Sequence, residues 1–155
     1  MFQVRVIIIP SLKVVSSGPI TTIEELDAFD KWWSSIEAKN YITPRDFMFY
    51  NEEKNCMEWI FAMLDGQTDT GGYEVIDFPG GLYAVGTTKD TDEESKEAKK
   101  DIHKWIIDTG MFEVSTKDND TVRRYDMCHI ISPKIFKEKM GYHLSEIYVP
   151  IVVKS

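Results

Sequence analysis

The chain is expected to fold as one motif used twice, because the order strand, helix, strand, strand recurs along its 155 residues. In the first half, FQVRVIIIPSLKVVSSG reads as a strand interrupted or bent at Pro10, since proline offers no ladder donor. PITTIEELDAFDKWWSSIEAKN follows as a helix. Its start is signalled by Thr21 with Glu24 or by Thr22 with Glu25, and its apolar stripe is Leu26, Phe29, Trp33 and Ile36. Asn40 suits a left-handed stop. RDFMFY (45–50) and CMEWIFAM (56–63) bracket the polar turn NEEKN and predict a hairpin. After the glycine-bearing connector, YEVIDFPGGLYAVGTT (73–88) is a strand pair or one strand broken at Pro79-Gly80-Gly81. DTDEESKEAKKDIHKWIIDTG is a helix with acidic residues in its first turn, a stripe of Ala98, Ile102, Trp105, Ile106 and Thr109, and Gly110 as its stop. VRRYDMCHII (122–131) and LSEIYVPIVV supply the last strands, and FEVSTKDNDT (112–121) reads as a surface connector.

Particular residues match between the halves. VIIIP, ending at Pro10, mirrors VIDFP, ending at Pro79, and Lys31-Trp32 mirrors Lys104-Trp105. MEWIFAM against SEIYVPI places Glu58 opposite Glu146. The predicted fold class is therefore α+β, a duplicated βαββ motif with pseudo-twofold symmetry, antiparallel sheets around a central cleft, and helices outside. The halves run from about 1–65 and 73–155 around a connector at 66–72, all within one domain. Alternation puts Glu146 and Tyr148 on one face of the last strand, with Ile147, Val149 and Ile151 on the other. Glu146 then faces either water or a pocket. In a pocket, desolvation would disfavour its charge unless a cation compensated it.

Composition narrows the partners. Twenty-six acidic against 18 basic residues give a net charge of −8, which repels phosphate backbones and argues against direct nucleic-acid binding. No apolar run reaches the roughly 18 residues of a membrane span, and MFQVRVIIIP lacks a signal-peptide cleavage pattern. Cys56 and Cys128 read as reduced thiols of a cytoplasmic protein, and neither they nor His103, His129 and His143 have metal-ligand spacing. No metal or cofactor is expected.

The motifs DFPGGLYAV (77–85), Trp105 in the last turns of its helix, RYDMCHIISP (124–133) and SEIYVPI (145–151) resemble the gyrase-inhibitor-like small-molecule-binding domain. The same domain serves as the effector-binding part of AraC-type and multidrug-sensing bacterial regulators. The resemblance is firm over the second half and looser over GPITTIEELDAFDKWW. It implies a duplicated βαββ fold around a pocket that takes lipophilic, often cationic, aromatic molecules, with a buried glutamate as counter-charge. By that resemblance Glu146, Tyr148 and Tyr83 are ligand-binding residues. The internal repeat adds Glu58, and the aromatic side chains Trp32, Tyr50, Trp105 and Tyr125 are candidate walls. Phe29, Trp33, Ile102 and Ile106 are expected in the core.

Three functions are compatible with this reading. The first is a stand-alone binding domain, either an effector sensor or a ligand-sequestering protein. A delocalised cation there would gain Coulomb energy from one desolvated carboxylate and roughly 0.5–2 kcal/mol from each cation–π contact. The second is a hydrolase of small electrophilic compounds, with Glu146 as general base and Tyr148 as proton partner. The third is a protein-interaction module acting on DNA gyrase or a partner regulator through an acidic surface such as DTDEES (90–95). No helix-turn-helix pattern precedes Val4, so DNA reading is not expected of this chain itself.

Overall fold

The computed structural model describes residues 2–36 and 45–155. Along the chain these form β1 (Val4–Ile9), β2 (Leu12–Ser16), α1 (Ile23–Ile36), β3 (Asp46–Asn51), β4 (Cys56–Ala62), β5 (Glu74–Phe78) and β6 (Gly81–Lys89). Then come α2 (Asp92–Thr109), β7 (Phe112–Val114), β8 (Met127–Ile130), α3 (Lys134–Met140) and β9 (Leu144–Val153). The class is α+β with antiparallel pairing. The expected stop at Asn40 lies outside the described residues. No helix among those described is long and apolar enough to cross a membrane. Two compact units emerge, Ser11–Phe78 and a larger one joining Met1–Pro10 to Pro79–Ser155. Both bends foreseen at proline are present, between β1 and β2 and between β5 and β6.

In the smaller unit the strand order is β3-β4-β2-β5. Helix α1 begins at the second of the two predicted capping boxes. Thr22 Oγ1 accepts the Glu25 N–H and the Glu25 carboxylate accepts the Thr22 N–H, both at 3.2 Å. The stripe then lays Phe29, fully buried, against Val15 and Phe61, with Trp32, Trp33, Trp59 and Tyr73 packed around them. Burying a side chain the size of Phe29 stabilises the unit by about 1.5–3 kcal/mol.

In the larger unit the order is β1-β6-β9-β8, and β7 pairs with the far end of β9. Helix α2 starts at Thr91, whose hydroxyl accepts the Glu94 N–H at 3.3 Å, and stops at Gly110 as read from the sequence. Its Ala98, Ile102 and Ile106 pack on Ala84, Ile147, Val149 and Ile151. A proline in a strand flanked on both sides is unusual, and the topology explains Pro150. Strand β8 reaches only to Tyr148 on β9, while β7 begins at Ile151. The missing N–H of Pro150 falls at the seam between them, and its carbonyl accepts the Ser115 N–H at 2.8 Å.

Three local expectations are corrected. The stretch 122–131 is a strand only over Met127–Ile130, because Arg124 is drawn into the interior. The connector at 112–121 opens with β7 before it turns. Helix α3 was not anticipated. It is seven residues long, buries none of them, and has no amphipathic stripe to announce it.

Candidate functional site

The register of the larger unit sorts β9 into two faces. Ile147, Val149 and Ile151 meet α2. On the opposite face, Arg5, Val85, Tyr148 and Met127 align across four strands, and Thr87, Glu146 and His129 align one step along. That second face is not wet: Glu146 is 8% exposed, Tyr148 5% and Tyr83 1%. The alternation read from the sequence is correct, and burial rules out the wet face among the alternatives it left open.

A buried carboxylate has to be compensated. Arg5 Nη2 donates to Glu146 Oε1, and the Tyr148 hydroxyl donates to Oε2 at 2.5 Å. Burial is the main reason the Tyr148 phenol is held well above its ordinary range, and its bond to the Glu146 carboxylate adds to this. Tyr83 stands edge-on to Tyr148, ring centroids 6.2 Å apart. Burial pushes the Tyr83 phenol up to about 12 despite the opposing pull of the Arg124 guanidinium, which lies 5.2 Å over its ring. Both phenols are therefore protonated in the fold at pH values where an unfolded tyrosine, with a pKa of about 10, has ionised. Their contribution to stability is complete below about pH 10 and is lost as pH rises through the folded value. In an ultraviolet titration Tyr83 and Tyr148 should ionise above the usual tyrosine range, together with alkaline unfolding. Wild type and Tyr83→Phe titrating identically would contradict this.

Arg124 was not singled out by sequence reasoning, yet it organises this face. Its Nε donates to Asp120 at 2.8 Å, and its two terminal nitrogens donate to the carbonyls of Leu82 and Ile151, each at 2.8 Å. Burial alone would raise the Asp120 carboxyl. The Ser115 hydroxyl, at 2.6 Å, and the Arg124 guanidinium outweigh it and hold the group below the usual range. A Cβ on Gly81 would lie 2.5 Å from Arg124 Nη1. The second glycine of PGGLYAV is thus the signal that something bulky lies against the backbone there.

Glu58, which the sequence set against Glu146, lies in the smaller unit. It is 3% exposed and accepts from Asn51 Nδ2 at 3.1 Å and Lys54 Nζ at 3.0 Å. Phe49 is its partner across β3 and β4, so Phe49 shares its face while the adjacent Tyr50 takes the other. Tyr50 is half-exposed and bonded to Asn55. Trp32 belongs to the α1 side, its Nε1 donating to Asp69 at 3.1 Å and its ring set against Phe29, Phe61 and Tyr73. In the larger unit Trp105 stacks on Phe112 on the α2 side. Tyr125 lies under the Arg123 guanidinium, 4.9 Å from its ring, in the irregular segment before β8. Of the predicted residues, then, Glu146, Tyr148 and Tyr83 converge on one face, whereas Trp32, Tyr50 and Trp105 do not join them.

No protein-family model matches the sequence, and no curated protein matches it. Solved structures do resemble it. The chain superposes on the C-terminal domain of EcmrR with a TM-score of 0.66 at 15% identity, covering 98% of both chains. Against EcmrR in complex with DNA it spans 97% of itself but only 57% of that polypeptide. SAV2435 bound to tetraphenylphosphonium gives a TM-score of 0.55 at 13% identity, over 98% and 94% of the two chains. A hydrolase from Listeria innocua gives 0.62 at 13% identity, over 97% and 92%. The fold is the gyrase-inhibitor-like fold that the motifs suggested.

Proposed function

We propose that this gyrase-inhibitor-like chain is a small-molecule-binding domain for lipophilic aromatic compounds, with Glu146 as the charge that a cationic ligand engages and Tyr148 and Tyr83 as the rings beside it. The observation that carries the reading is a buried carboxylate sharing one sheet face with two buried phenols. Even when paired, a buried carboxylate contributes little to stability, and its place in the middle of a largely apolar strand makes sense when it serves a ligand. Weakly hydrated cations are the class that a desolvated carboxylate flanked by rings favours. The likeness to SAV2435, which binds tetraphenylphosphonium, points the same way.

The equivalence of Glu58 and Glu146 also supports descent of the two halves from one βαββ motif. Each glutamate lies in the last strand of its repeat, buried and capped by a half-exposed basic side chain.

Titration of the protein with tetraphenylphosphonium tests the function. Micromolar binding is expected, weakened about tenfold or more in Glu146→Gln, a loss of about 1.4 kcal/mol. Equal binding by the two proteins would remove Glu146 from the site. The hydrogen bond from Tyr148 to Glu146, with the likeness to the Listeria hydrolase, favours hydrolysis as a second reading. Mass analysis after incubation with small electrophilic esters separates the two: a binder returns them unchanged, and a hydrolase does not.

A further inference from the structure

We infer that Arg5 is a built-in occupant of the cation position at Glu146, and that it sets how readily the site accepts a charged ligand. The inference rests on the binding function proposed above and adds a specificity determinant to it.

The two members of the pair are unequally placed. The Glu146 side chain is 10% exposed, whereas that of Arg5 is 52% exposed. The carboxylate is thus the fixed partner and the guanidinium the movable one. Arg5 stands on β1, which pairs with β6 alone among the named strands. The single side-chain hydrogen bond of Arg5 among the described residues is the one to Glu146, so a guanidinium leaving that carboxylate breaks no other. It also has somewhere to go. Arg5 borders a hollow of about 660 Å³ whose wall includes Phe2, Gln3, Val4, Thr87 and Trp105. A guanidinium rotated into that space keeps its hydration and can lie against an aromatic ring.

The chemistry of the seated state is that of a bound ligand. Arg5 is a planar, delocalised cation making a charge-assisted bond to the carboxylate that an incoming cation would use. An external cation therefore binds only to the fraction of molecules in which Arg5 has moved away. Apparent affinity falls in proportion to that fraction, so a guanidinium seated about nine-tenths of the time costs about tenfold. A ligand without charge, or with negative charge, has no need to displace it.

The test is titration of the folded wild type, Arg5→Gln and Arg5→Lys with tetraphenylphosphonium and with tetraphenylborate, its anionic isostere, each also in the Glu146→Gln background. Arg5→Gln should bind the phosphonium about tenfold more tightly than wild type, with no such gain for the borate. Arg5→Lys, which keeps the charge, should stay close to wild type. In the Glu146→Gln background most of the gain should vanish, because there is no carboxylate left to uncover. Phosphonium binding by Arg5→Gln no tighter than wild type would overturn the inference while leaving the binding function standing. So would an equal gain for the borate, an equal gain in Arg5→Lys, or a gain undiminished by Glu146→Gln. If no variant binds either probe, the binding function fails and this inference with it.

Discussion

Replacing Arg124 with Met should lower the stability of the protein by about 3–5 kcal/mol, the range found when one member of a buried ion pair is removed. Arg124 is 7% exposed and joins three parts of the larger unit: Asp120 in the turn after β7, Leu82 in β6 and Ile151 in β9. Methionine fills much of the volume but donates to none of them, leaving a nearly buried carboxylate without its counter-ion. Because a domain of this size has only about 5–15 kcal/mol to lose, the variant should unfold at a much lower denaturant concentration. Adding Asp120→Asn should recover part of the loss, since the uncompensated charge goes with it. The same pair predicts acid behaviour. With its folded pKa below that of the unfolded carboxyl, Asp120 contributes fully above about pH 4 and loses its contribution as pH falls through the folded value. Arg124→Met should lack this component of acid sensitivity. A loss smaller than about 1 kcal/mol in equilibrium denaturation at neutral pH would mean that the clamp is not structural.

The next largest effect is expected at Gly80. Its φ of +68° is a conformation that side-chain-bearing residues adopt at a cost of about 1–2 kcal/mol. An added Cβ would also stand 2.6 Å from the Pro10 carbonyl carbon and well inside contact distance of the Ile9 carbonyl oxygen. Those are backbone atoms, of Ile9 at the end of β1 and of Pro10 in the bend after it, and cannot turn aside as a side chain can. Overpacking of this kind adds about 1–3 kcal/mol. Gly80→Ala should therefore lose about 2–5 kcal/mol in thermal or chemical unfolding. Gly110→Ala is a useful comparison, because a Cβ there meets no atom within 4 Å and only the backbone term remains. Similar losses in the two variants would show that crowding against β1 contributes nothing.

Much of the candidate site could be read from residue types in order. Period-two alternation in LSEIYVPIVV placed Glu146 with Tyr148 and away from Ile147, as the hydrogen bond between them confirms. Helical spacing picked out Phe29, Ile102 and Ile106, all buried. The less legible residues act through distant partners. Arg5 looks like one charge in an apolar strand, and only pairing of β1 with β6, and of β6 with β9, brings it to Glu146, 141 positions away. Arg124 looks like half of a basic dipeptide, and its buried state depends on Asp120 and on carbonyls of two strands. Aromatic rings were the weakest guide. Trp32, Tyr50 and Trp105 had the composition of a ligand wall, but a large ring buries apolar area wherever it packs, so identity alone does not specify which face it covers.

Local physics explains this division. Helix caps, the bends at Pro10 and Pro79 and the two-faced pattern of β9 depend on neighbours within a few positions, so the order of residues determines them. Whether Glu146 meets water, a ligand or Arg5 depends on which strands lie side by side and on what is buried when they do. That pairing follows from the free energy of the whole sheet, and it was decided only when β1 closed onto β6.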